Sequence, residues 1–438
     1  MFTEGAKRVR LDKKSWTTAQ RLQELQRKLY LKAKSQPNFR FYLLYDKVFR
    51  WDVIKEAWEK VRANYGKPGI DGLTIEQIEN SDVGKFINSI QRELIDRTYK
   101  PASLRRGYIP KKDGSKRPLA IPTVKDRIVQ MAVKLVIEPI FEADFEDTSF
   151  GYRPKRNAHQ AAQEIRKYLN FGYKEVIDCD IADCFGSIQH SELLNMIARR
   201  ISDGKMLALI KMFLKAGVMQ EDQNQDRTKG TPQGGVISPL LANIYLDRLD
   251  KGWKVRFAPV AKMIRYADDI VILTRDKAET LTICLDRMLK SMKLILNAAK
   301  TKIVNAEEKS FDFLGFNFKK AYSLRTQKKS AIFWPSYQAE MSIRRKIKAI
   351  TNFRRPVKVE QVVKELNPKL RGWVNYHRVA NASEKFLKIR HYAEIRVRKF
   401  IRRRGKKRGF GYKDITQNYL YNQLGLFNDY HVKWMKAF

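Results

Sequence analysis

The sequence predicts an α+β chain in which helical segments at either end flank a strand-bearing middle, and three observations carry that prediction. Apolar residues recur at helical spacing near the start, where Leu22, Leu25, Leu29 and Leu31 are set among Arg, Lys, Gln and Glu. Between Tyr108 and Phe318, short apolar arms meet at acidic or Asp-Gly turns, the pattern of hairpins. After about residue 335 the segments become helical again and rich in Lys and Arg. The 438 residues exceed one compact core and should divide into two or three domains.

Residues 15–60 form the first helical stretch, broken by Pro37, with a second helix expected from Trp51 to Tyr65. Gly66-Lys67-Pro68-Gly69 and Asp71-Gly72 then mark a turn. Ile109 to Pro118 reads as two short strands joined by a basic hairpin, with Asp113-Gly114 at its tip. Residues 125–145 return to a helical period, Val176 to Ile181 is a strand, and Leu193 to Ala216 is helical. Met263 to Thr274 is the clearest hairpin: two apolar arms flank Tyr266-Ala267-Asp268-Asp269, so the arms are buried and the acidic tip exposed. Residues 310–318 alternate well enough for another hairpin. Arg396 to Arg408 holds nine basic residues in thirteen, and neither an internal repeat nor a low-complexity linker is evident.

Apolar residues make up 43% of the chain, enough for real cores. Lys plus Arg number 88 against 47 Asp plus Glu, a net charge of +41 that opposes compaction unless a polyanion neutralises it. Nucleic acid is the leading partner, well ahead of an acidic membrane surface. Three cysteines, none in a Cys-x-x-Cys pair, make neither a disulfide framework nor a zinc site, which fits a reducing cytosol. No apolar run is long enough to span a bilayer, and the basic start, Lys7-Arg8-Val9-Arg10 included, reads as a solvated arm without a signal-peptide core.

Asp268 and Asp269 at a hairpin tip, with Asp180 at the end of another strand, are the candidate reactive groups. Hard divalent cations prefer carboxylate oxygens and keep several waters. Phosphoryl transfer to a hydroxyl uses two such cations about 4 Å apart. A few aspartates on rigid strands, with coordination positions left for substrate, therefore suffice. Asp178 and Asp183 are rivals for the Asp180 role, but their spacing to Phe185 argues against both. Two adjacent acids in a turn are common; the order of segments is what makes these specific. The basic hairpin precedes strand-borne Asp180, then Thr231-Pro232-Gln233-Gly234-Gly235 through Asn243, then Tyr266-Ala267-Asp268-Asp269, then Phe313-Leu314-Gly315-Phe316.

In that order, and with Ser149-Phe150-Gly151-Tyr152-Arg153-Pro154 upstream, the chain resembles reverse transcriptases of the bacterial group II intron type, the intron-encoded maturases, from about Asn64 to its end. The resemblance implies a right-hand polymerase: a helical N-terminal extension (residues 1–65), fingers and a palm with an antiparallel sheet (66–325), and a helical thumb or maturase domain (326–438). It implies Asp180, Asp268 and Asp269 as catalytic, with Ile181 beside them at the metal site and two Mg²⁺ ions, Mn²⁺ being the alternative. Phe185 would be the bulky gate that excludes a 2′-hydroxyl. Lys111 and Arg117 would grip the triphosphate, Gln233 and Gly234 would admit the nucleotide and template closely, and Lys302, with Lys300 an equal contender, would lie near the triphosphate. Phe313 to Phe316 would support the primer end.

Leu366 to His377 resembles the start of the family's thumb. Arg371 there, and Arg402, Arg403 and Arg404 further on, would contact RNA or DNA, while Trp373 is either a base-stacking group or a packed helix residue. Relatives often read Asp-Leu-Glu-Lys-Phe-Phe-Asp where this chain has Asp180-Ile181-Ala182-Asp183-Cys184-Phe185-Gly186; the metal ligand and gate are kept, and the Glu-Lys pair, one aromatic and the final Asp are not. The implied activity is RNA-directed DNA synthesis from dNTPs on an RNA template with a DNA or RNA primer, in a bacterial cytoplasm, with binding of the chain's own intron RNA for splicing and retrohoming. A free-standing reverse transcriptase in repair or phage defence, and a non-catalytic RNA-folding maturase, are the alternatives. No HNH endonuclease, which many relatives carry, is expected.

Overall fold

The computed structural model describes residues 16–110, 114, 116–220, 223–225, 229–323 and 327–434. The helix Thr18–Ser35 starts where Thr17 accepts a hydrogen bond from the Gln20 amide and the Gln20 side chain accepts one from the Thr17 amide, a reciprocal cap. It stops two residues before Pro37. The helix Trp51–Ala63 buries Val53, Ile54, Ala57, Trp58 and Val61 on one face. Both helices pack on Val124–Glu142, the long helix expected at 125–145, which is buried along most of its length.

The basic hairpin forms from Leu104–Pro110 and Lys116–Ile121, antiparallel, with Gly114 at φ +86° between them. Lys111 and Asp113 lie outside the described residues. The single helical stretch expected over Leu193 to Ala216 is two helices, His190–Ala198 and Gly204–Lys215. The break is made by Asp203, whose carboxylate caps the second helix at Lys205 and Met206 and also accepts from the amides of Leu44 and Tyr45. It ties the N-terminal helices to the body.

The central sheet is antiparallel, with Glu175–Ala182 between the hairpin Ala261–Tyr266/Asp269–Thr274 and the short strands Ile295–Leu296 and Lys302–Asn305. Its hairpin arms are apolar because both faces are covered. One face meets the main core with Ile270 and Ile272, and the other meets Ile165, Phe311 and Phe333 through Val271 and Leu273. The hairpin expected at 310–318 gains a third strand that periodicity did not disclose: Phe311–Phe313, Phe316–Ser323 and Lys328–Pro335 form one antiparallel sheet. Three helices follow, Tyr337–Ile350, Val359–His377 and Ser383–Arg404, closing round Ile343, Leu366, Phe386 and Val397. This mix of helices and antiparallel sheet is the α+β right-hand architecture. All three cysteines are free, and among the described residues no helix is long and apolar enough to cross a membrane.

Candidate active site

Strand pairing sets Asp180 directly opposite Asp269. Residues so placed in antiparallel strands share a face, with Cβ atoms about 5 Å apart. Asp178 and Asp180 alternate with buried Ile177, Cys179 and Ile181, so the two acids point away from the core. Ile181 can thus offer only its main-chain carbonyl. Asp268 occupies the hairpin turn, beside Ala267 at φ +59°.

This crowding shows in the acidities. Burial, opposed chiefly by the amide of its own residue, pushes the Asp268 carboxyl up. Asp269 is open to solvent on one side, yet the protein packed round it, and then the charges of Asp268 and Asp180, push it up to about 6. Burial followed by the charge of Asp269 does the same to Asp178, also to about 6. Such a cluster of hard oxygen donors lacks positive charge. Lys300 supplies some: its Nζ lies 2.6 Å from Asp180 Oδ2. Of the two lysines considered from the sequence, Lys300 is the one that pairs with Asp180, and Lys302 stands on the neighbouring strand opposite Asp178. Among the described residues no three Asp, Glu, His or Cys side chains form a group that could hold a metal ion. An open, carboxylate-only donor set fits Mg²⁺, which keeps waters and takes ligands from its substrate.

The turn is held from beneath by a network to which the sequence reading assigned no role. Arg265 is fully buried and forms a bidentate pair with Asp250, at 2.5 Å for the shortest contact. Its Nη1 donates to the Ala267 carbonyl at 2.9 Å and to Asn243 Oδ1 at 3.0 Å. Asn243 Nδ2 in turn donates to the Gly151 carbonyl at 2.8 Å. Gly151 lies so close to the turn that an added Cβ would fall 2.9 Å from the Tyr266 carbonyl carbon. Two of the sequence blocks quoted above therefore form the frame of the third. An arginine directly after apolar Met263-Ile264 in the hairpin arm was the available signal.

Above the carboxylates opens a cleft of about 220 Å³ lined by Arg117, Tyr152, Phe185, Gln233, Gly234 and Asp268, among others. Of the expected site residues, Arg117, Phe185, Gln233, Gly234 and Asp268 thus line one cleft, and Asp180 and Asp269 stand on the paired strands next to it. Gly234 has φ +120°, and a Cβ on it would press on the Ala120 carbonyl oxygen at 2.8 Å, so glycine is required there. Thr231 Oγ1, Gln233 Oε1 and Ser238 Oγ are buried here with no partner among the described residues. Buried polar atoms are rarely left so. Tyr152, missed from sequence, enters the cleft from a backbone at φ +58°. Asp183 is not one of the facing carboxylates. It precedes the Cys184–Ser187 turn at φ +39° without a side-chain cap bond, and its carboxylate lies over Gly186.

Away from the cleft, Trp373 packs between His377 and Phe386 and donates from Nε1 to the Ala339 carbonyl. These are the contacts of a packed helix residue, on a side chain that stays half-buried. Arg371 is exposed and rests near the Phe427 ring. The basic run is not a uniformly free face. Arg398 is buried against Glu394 and the Ile415 carbonyl, Arg402 pairs with Asp414, and Arg404 donates to the Val357 carbonyl. Arg403 lies over Phe353 and stays exposed, as do Lys406 to Arg408.

Comparison with known proteins agrees with this architecture. A reverse transcriptase (RNA-dependent DNA polymerase) family matches residues 109–318, and a group II intron maturase-specific domain matches residues 341–420. Protein YkfC of Escherichia coli (strain K12) is 32% identical over 334 residues, 67% of this chain and 87% of that protein. Group II intron-encoded protein LtrA of Lactococcus lactis subsp. cremoris is 41% identical over 214 residues, 48% of this chain and 35% of that one. An uncharacterized 91 kDa protein in the cob intron of Schizosaccharomyces pombe is 36% identical over 230 residues, 50% of this chain and 27% of that one. With both domains in sequence and these relatives, the chain belongs to the group II intron-encoded reverse transcriptase/maturase family.

Proposed function

We propose that the chain is an active RNA-directed DNA polymerase that extends a primer 3′-hydroxyl with dNTPs and also binds an intron RNA. The observation that carries the reading is that Asp180 faces Asp269 across paired strands, next to Asp268, which lines a cleft with Arg117, Phe185, Gln233 and Gly234. Asp180, Asp268, Asp269 and the Ile181 carbonyl would hold Mg²⁺. When bound, the two cations favour the ionised 3′-hydroxyl and neutralise the triphosphate.

The chain's own groups do the rest. Arg117 meets phosphate charge from a paired strand, which limits how far it can stray. Phe185, whose carbonyl accepts from the Thr231 amide at 2.7 Å, is fixed as a wall beside the sugar and leaves no room for a 2′-hydroxyl. The orphaned oxygens of Thr231, Gln233 and Ser238 would be satisfied by the incoming nucleotide. Lys300 balances the Asp180 charge while the site is free of cations. Residues 1–65, 66–325 and 326–438 would serve as extension, fingers with palm, and thumb, and exposed Arg371 and Arg403 would meet nucleic-acid backbone.

The test is extension of a DNA primer on an RNA template. Synthesis should require dNTPs, stop with a chelator and resume with Mg²⁺. Absence of synthesis by well-folded protein would overturn the catalytic reading. Sequencing RNA that copurifies should return one structured intron, and a diverse RNA population would overturn that half.

A further inference from the structure

The last turn of the helix Val359–His377 abuts the turn that joins Phe311–Phe313 to Phe316–Ser323. Tyr376 makes the contact in two ways. Its hydroxyl donates to the Leu314 carbonyl at 2.8 Å, and its ring stacks on Phe316 with centroids 5.3 Å apart and planes at 17°. The turn needs such support. Leu314 has φ +49° and Gly315 φ +77°, and a left-handed leucine persists only where its surroundings over-determine it. The open side of Gly315 faces the rings of Tyr376 and His377, at 3.9 Å from where a Cβ would stand.

Tyr376 is itself held from the opposite side. His159, on the helix Ala158–Asn170 behind the sheet, bonds through Nε2 to the Tyr376 carbonyl at 2.7 Å. Leu314 and Tyr266 pack against the same apolar cluster, which contains Phe316, Ile264 and Val271. The thumb helix, the Leu314–Gly315 turn and the hairpin bearing Asp268 and Asp269 thus form one contiguous unit. Stacking alone lets the rings slide, whereas the hydroxyl bond fixes one atom of the turn to one atom of the helix.

We infer that Tyr376 is a positioning residue for primer extension: its hydroxyl locks the Leu314–Gly315 turn to the thumb, so that the primer end is presented to Asp268 and Asp269 at one fixed place. The inference rests on the polymerase reading above.

Tyr376→Phe keeps the stack and removes the lock. Loss of a single neutral hydrogen bond should raise the KM for primer–template by about three- to tenfold. The KM for dNTP and kcat at saturating primer should change by less than about twofold, with the unfolding midpoint lowered by no more than loss of one hydrogen bond explains. His159→Gln, which removes the bond to the Tyr376 carbonyl together with the ring contacts of His159 with Tyr376 and Phe316 but keeps the Tyr376 hydroxyl, should shift the primer KM in the same direction by less. A merely structural role predicts instead that all kinetic constants fall together with stability, and that result, or an unchanged primer KM, overturns the inference. Equilibrium binding separates this from failure of the polymerase reading. Tyr376→Phe should weaken binding of an RNA–DNA hybrid with a recessed primer end and leave a blunt hybrid of equal length unaffected. Equal effects on the two hybrids refute the lock even if the wild-type protein makes no DNA. If Tyr376→Phe does not fold, His159→Gln decides by the same two measurements.

Discussion

Gly151→Ala should disable the site while leaving the fold in place. The added Cβ would stand 2.9 Å from the Tyr266 carbonyl carbon and 3.0 Å from Ala267 Cα, with Ala267 N nearer still. Carbon atoms rest comfortably at about 3.5–4.0 Å, so the two chains must part by up to roughly 1 Å. The obstructing atoms are backbone, and no rotamer change relieves them. The Gly151 carbonyl is bonded to Asn243, and the far side of the turn is held by Arg265, so displacement concentrates in the turn that carries Asp268. Overpacking of this kind costs about 1–3 kcal/mol of stability. A reacting group moved by about 1 Å costs on the order of 100-fold in rate. Single-turnover primer extension, run beside urea denaturation, separates the two. A rate within about threefold of wild type, or a loss explained wholly by unfolded protein, would refute the claim that the Gly151 block sets the catalytic turn.

Other perturbations test separate parts of the account. Arg265→Met leaves Asp250 buried and unpaired and should destabilise by about 3–5 kcal/mol in urea titrations, with much of the loss recovered in Arg265→Met/Asp250→Leu. Phe185→Ala should raise ribonucleotide incorporation by about tenfold or more in competition assays, and unaltered sugar selectivity would remove Phe185 as the gate. His377 is buried, and that burial, with the nearby His159, lowers its pKa from 6.5 to about 3. The unfolded chain therefore binds a proton there between pH 6.5 and about 3 that the folded chain refuses. Stability should be complete above pH 6.5 and fall on acidification by up to about 1.4 kcal/mol per pH unit from this group. Denaturant midpoints measured from pH 7 to pH 4 should fall less steeply for His377→Gln; identical slopes would dismiss the effect.

Local pattern made much of the molecule legible. Helices appear where apolar spacing and Pro37 set them, and the acidic hairpin forms because its arms are apolar on both faces around a polar tip. Pairing between distant strands is a different matter. Nothing near Asp180 announces that it will stand opposite Asp269, or that Lys300 rather than Lys302 will reach it, because both depend on register across segments 89 and 120 residues apart (269 − 180 and 300 − 180). The break at Asp203 escaped notice because the residue caps a helix and binds two distant amides at once. Lys328–Pro335 begins with two lysines and a serine and ends in the unbroken apolar run Ala331 to Pro335, so its sequence shows no strand alternation although its burial alternates. Trp373 shows the opposite limit: a tryptophan beside basic residues suits a base or a core equally, and only its partners decide.

Single-turnover extension by Asp180→Asn, Asp268→Asn and Asp269→Asn, measured beside RNA–DNA hybrid binding, tests the central claim most directly. Each substitution should abolish DNA synthesis while hybrid affinity stays within a few-fold of wild type. Synthesis retained by any of the three would contradict the shared carboxylate site.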